Sequence, residues 1–336
     1  VHPELDAGVS RTDLTLLAGG ALIAAGEADR AAELVGEAYE QHTGDLAERA
    51  ALVASMVKSR LLADAFDVGT DTVRQAISWV GEDGPTALLA DLRATLARAL
   101  LDDEDFDGAV LAATEASVLG RELDLPEVVT DALTTLARLD DFTGDPQRAE
   151  RSMQEVVAQA RSAGDSIAEL RAMHQLARVQ ARMDHHRDAY LTHVAGWRRA
   201  IDTGRTTHPF GHEHRVFGSL LALMVGQWRA ADQLLDTKAE KLPPRQGADL
   251  AAVRGLVARP RDEISASIDD ALLALYERIR EHSGGLAAAE LKHGRCGGCR
   301  LELNPTDLAA IDKAASNEVV RCEECTRILV RTHSDD

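Results

Sequence analysis

Five alanines at a common turn position set the frame for about three quarters of the chain. Ala109, Ala149, Ala189 and Ala230 stand 40, 40 and 41 residues apart. Each follows a short turn: Asp105-Phe-Asp-Gly-Ala109, Gly144-Asp-Pro-Gln-Arg-Ala149, His185-His-Arg-Asp-Ala189 and Gly226-Gln-Trp-Arg-Ala230. Glu27-Ala-Asp-Arg-Ala31 fits the same slot. Around these turns apolar residues recur every three or four positions, as in Leu14, Leu17, Ala18, Ala21, Leu22 and Ala25, the period of a helix with one buried face. The interruptions are cap and turn residues: Gly26-Glu-Ala-Asp29, Gly81-Glu-Asp-Gly-Pro85, Gly144-Asp-Pro146 and Gly164-Asp165. A fixed period of this length predicts helical hairpins stacked as a solenoid, each burying its apolar side against its neighbours only. About six hairpins fit between residues 12 and 258, above the roughly three that a stable stack requires.

Aromatic residues are 3% of the 336 residues. That suits close-packed helices better than a β-sandwich, which draws on Val, Ile, Tyr and Phe. The net charge of −19 repels phosphate backbones, so any nucleic-acid contact needs a local basic patch. The apolar run Leu14–Ala25 is too short to span a bilayer, follows Arg11-Thr-Asp13, and lacks a basic leader and a cleavage site. A soluble, cytoplasmic protein with no membrane segment is the expectation.

In Ala172, Leu176 and Ala177, and in the Gly144-Asp-x-x-x-Ala149 turn, the chain resembles the degenerate tetratricopeptide-like arrays of large LuxR-type transcriptional regulators. The resemblance covers about three quarters of the chain and implies a protein-interaction or sensing scaffold, and nothing enzymatic. The histidines of Thr207-His-Pro-Phe-Gly-His-Glu-His214 read as exposed residues of an inter-helix loop, because of Pro209 and Gly211. His185 and His186 read as turn residues. The run Asp102–Asp105 reads as a solvated helix end, since it lacks the Gly and terminal Glu spacing of a calcium loop. Trp79, Trp197 and Trp228 are expected to pack between hairpins, and Ser162 and Ser166 sit in ordinary helix ends.

Composition shifts at Lys241-Leu-Pro-Pro-Arg-Gln-Gly247, read as another inter-helix turn, and at Arg259-Pro-Arg-Asp262, which is expected to end an array helix at Ala258. The predicted division is therefore an all-α helical-hairpin solenoid over 1–258, a linker and connecting helix over 259–285, and a small separate module over 286–336. The connecting helix is expected from Ile264 to about His282, with Ile268, Leu272, Leu275 and Ile279 on its apolar stripe.

The four cysteines of the chain form two C-x-x-C pairs, Cys296/Cys299 and Cys322/Cys325, separated by twenty-two residues. Each pair makes a tight knuckle, and two knuckles complete a tetrahedral zinc site. Disulfides do not suit a reducing cytosol, and a thioredoxin-like redox pair needs one C-x-x-C in a βαβ context. Four thiolates leave no open coordination position, so a single Zn2+ here is structural. Leu301–Leu303, Glu318–Arg321 and Arg327–Arg331 read as short strands. Asn304-Pro-Thr-Asp307 opens a helix to about Ala314, with Asn as N-cap and Pro at the first helical position. Strands flanking both knuckles with one helix between them make the module over 286–336 a small zinc ribbon. Backbone N–H groups of Gly298, Cys299, Glu324 and Cys325 are expected to point at the sulfurs.

The segments Leu272–Arg280, Arg295–Leu303 and Val319–Val330 closely resemble the bacterial four-cysteine zinc-ribbon family, over about residues 268–332. The resemblance implies that Cys296, Cys299, Cys322 and Cys325 are zinc ligands, and it carries the family's association with nucleic-acid binding. Members usually place a charged coiled-coil hairpin ahead of the ribbon, where this chain has the helical array. Between Leu286 and His333 seven Lys and Arg residues face seven Asp and Glu residues, and aromatic residues for base stacking are absent. Arg295, Arg300, Arg321, Arg327 and Arg331 cluster beside the knuckles as candidate contacts to nucleic acid or a partner. The expectation is a non-enzymatic regulatory adaptor whose array holds a protein partner. A transcription-related nucleic-acid-binding protein is the alternative.

Overall fold

The computed structural model describes residues 10–65, 67–81, 86–237, 240–283, 287–315 and 318–331, with side chains throughout except at 257–264. The break expected at Gly81–Pro85 lies, past Gly81, outside these residues, as do Gly284, Gly285 and Leu286. Ten helices pair as five antiparallel hairpins, and two further helices follow them. The first hairpins are α1 (Arg11–Ala24) with α2 (Ala28–Gln41), α3 (Leu46–Leu62) with α4 (Thr70–Val80), and α5 (Ala87–Asp102) with α6 (Phe106–Glu122). Then follow α7 (Pro126–Phe142) with α8 (Pro146–Ala163) and α9 (Ser166–Arg182) with α10 (His186–Asp202); the two further helices are α11 (Pro209–Met224) and α12 (Trp228–Leu235). Next come α13 (Pro244–Ser265) and α14 (Asp270–His282), and then β1 (Ala288–Lys292), β2 (Arg295–Cys296), α15 (Pro305–Lys313) and β3 (Ile328–Arg331). The chain separates into two compact units: one runs to Gln227 and includes Leu234–Ala251, and the other holds Trp228–Gln233 and the chain from Ala252 onward. Among the described residues no helix is long and apolar enough to cross a membrane.

The repeat is written into the turns. Inside the first, third, fourth and fifth hairpins, and in the turn after α11, one residue takes a left-handed backbone: Gly26, Glu104, Gly144, Asp184 and Gly226. The next N–H then bonds a carbonyl five residues back, Glu27 to Leu22, Asp105 to Leu100, Asp145 to Asp140, His185 to Gln180 and Gln227 to Ala222, all at 2.7–2.9 Å. This is a Schellman-type helix end, which satisfies orphan carbonyls while reversing the chain. Asp64 repeats it inside the second hairpin, and Asp124, Gly164 and Gly204 repeat it after the third, fourth and fifth. The residue five positions past the left-handed one is a fully buried alanine in each case: Ala31, Ala109, Ala149, Ala189 and Ala231. In the last unit the buried alanine is thus Ala231, and Ala230 is only half-buried. The register follows the turn.

The stack coils until its later part meets its first hairpin. Thr207 Oγ1 donates to the Ala24 carbonyl at 2.7 Å, and Gln246 Nε2 donates to the Thr207 carbonyl at 2.6 Å. Arg245 reaches Asp29, Asp64 and the Ala63 carbonyl at 3.0–3.3 Å. Leu62 of α3 packs against the cluster of Leu170, Ala200 and Phe210.

Several expectations are corrected. Thr207–His214 is a helix start, not an exposed loop. Pro209 is the first residue of α11, His208 caps it by accepting the Phe210 N–H at 3.3 Å, and Pro is favoured at that position. Gly211 does not break the helix; a Cβ there would lie 2.1 Å from the Arg205 carbonyl oxygen, so it permits a close approach. His208, His212 and His214 are consequently buried. Pro260 does not end α13, which continues to Ser265, and the following helix begins at Asp270 rather than Ile264. Asp269 accepts the Ala271 and Leu272 N–H groups and so sets that start. Trp79 and Trp197 pack against apolar clusters, but Trp228, the first residue of α12, is 56% exposed.

In the second unit β1 is central, antiparallel to β2 and parallel to β3, in the order β2-β1-β3. The strands expected at Leu301–Leu303 and Glu318–Arg321 reduce to single bridges, Arg295 to Glu302 and Arg321 to Ile328. Their alternation still directs one side chain inward: Leu303 is buried and Leu301 exposed.

Candidate metal centre

Both knuckles fold by the same local hydrogen bonds. In the first, Cys296 N donates to the Leu301 carbonyl (3.0 Å) and Arg300 N to the Cys296 carbonyl (2.7 Å). In the second, Cys322 N donates to Arg327 (2.9 Å) and Thr326 N to Cys322 (2.8 Å). Each reversal is closed by a left-handed residue, Arg300 at φ 64° and Thr326 at φ 61°. The first knuckle alone carries Gly-Gly between its cysteines, and the reason is packing. A Cβ on Gly298 would meet the Arg327 side chain at 2.5 Å, whereas Glu323 and Glu324 of the second knuckle are exposed.

The four sulfurs lie within 4.8 Å of one another, with Cys296 to Cys325 at 3.7 Å and Cys299 to Cys322 at 3.8 Å. A tetrahedron with Zn–S bonds of about 2.3 Å has sulfur–sulfur edges of about 3.8 Å, so the arrangement fits zinc. A disulfide would need about 2.05 Å. The four cysteines form a C4 site able to bind one zinc ion.

Backbone donors stabilise the negative sulfurs. Cys322 receives N–H groups from Cys325 and Glu324, as expected, while Cys299 receives one from Leu301 and Cys325 one from Arg327. Burial pushes the Cys322 thiol up to about 12, with those backbone donors opposing it. At Cys325 burial also pushes up, but hydrogen bonds from the Arg327 backbone and guanidinium bring the thiol down to about 6. A divalent cation resolves this contest by stabilising all four thiolates together. The module's core is Ala289, Cys296, Leu303, Ile311, Cys322 and Leu329. Two of those six are ligands, so the metal is part of the core.

The candidate contact arginines divide. Arg331 donates to the Ile311, Ala314, Ala315 and Glu318 carbonyls at 2.5–3.2 Å and caps the end of α15. Arg327 holds the Ser283 carbonyl at 2.8 Å as well as Cys325. Arg295 pairs with Glu302 at 3.4 Å. Arg300 and Arg321 are exposed.

Sequence reasoning missed a polar cluster inside the array. His174, His193 and His214 lie on α9, α10 and α11 with ring centroids 5.0–6.0 Å apart. His193 Nδ1 and His214 Nδ1 are 3.0 Å apart, and Glu213 Oε2 is 3.4 Å from His174 Nδ1. The residue types were legible; their burial was not.

The C4-type zinc ribbon domain model matches residues 295–329. The uncharacterized protein Rv2229c of Mycobacterium tuberculosis is 34% identical over 158 residues, which are 47% of this chain and 57% of that protein. The chain therefore spans just over half the length of that relative. The Rap protein solved in complex with Competence and Sporulation Factor superposes with a TM-score of 0.56, covering 80% of this chain and 74% of its own at 13% identity. A kinesin light chain of Podosopora anserina with TPR-like repeats matches at TM-score 0.43 and 16% identity, over 65% of this chain and 100% of its own. The likeness to Rap is one of fold. The chain is a tetratricopeptide-like helical array followed by a C4-type zinc ribbon.

Proposed function

We propose that the chain is a non-enzymatic regulatory adaptor, with the array as the scaffold for a protein partner and the ribbon as a structural docking module. The observation that carries this reading is the four-thiolate centre behind an array of stacked hairpins. The sulfurs fill a tetrahedral sphere, so zinc has no position for water or substrate and serves to hold a fold. Stacked hairpins present a continuous surface built from successive helices, the usual platform for a partner. Rap, of the same fold, is solved in complex with a factor, which supports a partner-holding role. The alternative, nucleic-acid binding through the ribbon, is weakened by the arginines: Arg327 and Arg331 are bound to carbonyls of the module, and Arg295 to Glu302.

Affinity capture from a native lysate tests the reading, with the full zinc-loaded chain compared against the chain ending after Ser265. The expected result is a protein retained by both forms. Retention of no protein that depends on the array would sink the adaptor reading. Binding of RNA or DNA by the full chain, steeply weakened by salt, would favour the alternative.

A further inference from the structure

Past its buried alanine, Ala109, the outer side of α6 carries Val110, Leu111, Thr114 and Val118. The spacing is that of one helix face, and Val110, Leu111 and Val118 are 44%, 62% and 46% exposed. Thr114 Oγ1 donates to the Val110 carbonyl at 2.7 Å, so its hydroxyl is satisfied by its own helix and the stripe is apolar along its length. At about 1.5 Å per residue it runs for about 12 Å. The repeat shows that this is a departure. In α2 the positions of Leu111 and Val118 are held by Glu33 and Glu40, and in α8 those of Leu111 and Thr114 are held by Arg151 and Gln154. In α10 Leu191 matches Leu111, but Arg198 stands in the place of Val118. Single apolar residues on a surface need no explanation; an apolar stripe set where neighbouring repeats put charge does.

Charge decides what covers it. From Arg11 to Asp131 the chain carries 24 Asp and Glu residues against nine Lys and Arg, so most of the net charge of −19 sits in this part. At the start of α6, Asp105 accepts the Gly108 N–H at 3.0 Å and lies 3.6 Å from Arg74, and Asp103 accepts from Thr70 Oγ1 at 2.6 Å. Glu104 and Asp107 there, and Glu122, Asp124 and Glu127 at the other end, are exposed and make no ion pair among the described residues. Arg121 is the base that stands among them. Asp107 lies on the face of the stripe itself, one turn before Leu111. One turn beyond Val118 a shallow cavity of about 270 Å³ opens, lined by Gly120, Arg121, Leu125, Pro126, Val129 and Gln159 among others. A second copy would bring the same acids against each other, whereas a cationic helix meets them at both ends of the apolar stripe.

We propose that the outer face of α6 docks an amphipathic helix of the partner, with apolar side chains on one side and lysine or arginine flanking them. The apolar side covers Val110, Leu111, Thr114 and Val118, and the cations face Asp107 at one end and Glu122 and Asp124 at the other. An amphipathic helix laid on an apolar strip is a recurring mode of peptide recognition, in which apolar anchors give affinity and flanking charges give orientation. The proposal rests on the reading of the array as a protein scaffold and names the chemistry of the segment it holds.

Fluorescence anisotropy of a labelled amphipathic leucine–lysine peptide against the full zinc-loaded chain tests this. A peptide of the same composition in scrambled order, and one with glutamate in place of lysine, run alongside. Saturable binding of the ordered lysine peptide alone is expected, weakening as salt is raised. It should weaken about tenfold in Leu111→Gln and in Val118→Gln, and by a smaller factor in Asp107→Asn, while Leu191→Gln on α10 leaves it unchanged. All four residues are exposed, so the variants keep the fold, which circular dichroism checks. No saturable binding, equal binding of the scrambled or the glutamate peptide, an equal loss in Leu191→Gln, or unchanged affinity in both Leu111→Gln and Val118→Gln would overturn the site. A chain that sediments as a dimer in the wild type and as a monomer in Leu111→Gln would assign the face to a second copy instead. A partner captured equally by wild type and by the Leu111→Gln, Val118→Gln double variant would overturn the site and leave the adaptor reading standing. Retention of no array-dependent protein, with peptide binding intact, would do the reverse.

Discussion

His214 Nε2 lies 3.0 Å from the Leu170 carbonyl, which only a protonated nitrogen can satisfy. In the neutral ring Nδ1 is then the acceptor, and its partner at 3.0 Å, His193 Nδ1, is the donor. The pair is satisfied when both rings are neutral, and a proton on His214 Nδ1 sets two donors against each other. Burial, then the neighbouring imidazoles, hold His174 and His193 well below the ordinary histidine range. Burial brings His208 and His214 down to about 4. Since the folded pKa values lie below the unfolded value near 6.5, the native state binds fewer protons. The stability these groups contribute is complete above 6.5 and is lost as pH falls toward 4. Glu213 acts oppositely, because its folded value near 7 is raised: its contribution is present below 4.5 and lost as pH rises through 7. Four imidazoles outweigh one carboxyl at about 1.4 kcal/mol per pH unit each. Moving from pH 6.5 to 5 should therefore cost the array at least about 2 kcal/mol, seen as a lower urea midpoint. His193→Phe should flatten the dependence, and a midpoint that rises at pH 5 would contradict the assignment.

At the scale of elements, two local devices carry the stability. The Schellman-type turns need a left-handed residue, and Gly26, Gly144 and Gly226 meet that need without strain. Glu104 holds the same position at φ 62°, where a side chain costs roughly 1–2 kcal/mol. Glu104→Gly should raise stability by about 1 kcal/mol, read as a higher melting temperature; a decrease would show that Glu104 does something the turn does not require. The ribbon is the second device. With two ligands among its six buried core residues, its folding is coupled to zinc, at apparent binding energies of about 10 kcal/mol or more. Chelation, or Cys299→Ser, should drop the metal content well below one zinc per chain. Amide protection in β1 and β3 should be lost while the helical signal of the array persists. Retained protection in β1 without metal would refute a metal-held fold.

For the array as a whole, closure on its first hairpin converts a surface into an interior. Thr207 reaches Ala24 across 183 residues of sequence, and Thr207→Val should cost about 1 kcal/mol and speed amide exchange in α1. Arg245→Ala should cost less, because its pairs with Asp29 and Asp64 are largely exposed. Unchanged exchange in α1 in the Thr207 variant would mean that closure does not depend on this bond.

Much of this was legible in advance because it is local. The 40-residue step, the helical hairpins, the Asn304 cap and the four zinc ligands follow from helix period, turn chemistry and cysteine spacing, all set within a few residues of chain. The burial of His208, His212 and His214, which a Pro and a Gly made look like an exposed loop, was decided in three dimensions. A repeat period states what neighbours do to each other. How far a stack coils is the sum of small rotations over some two hundred residues, and only that sum brings Thr207 to Ala24 and closes an interior around groups that local sequence would leave in water.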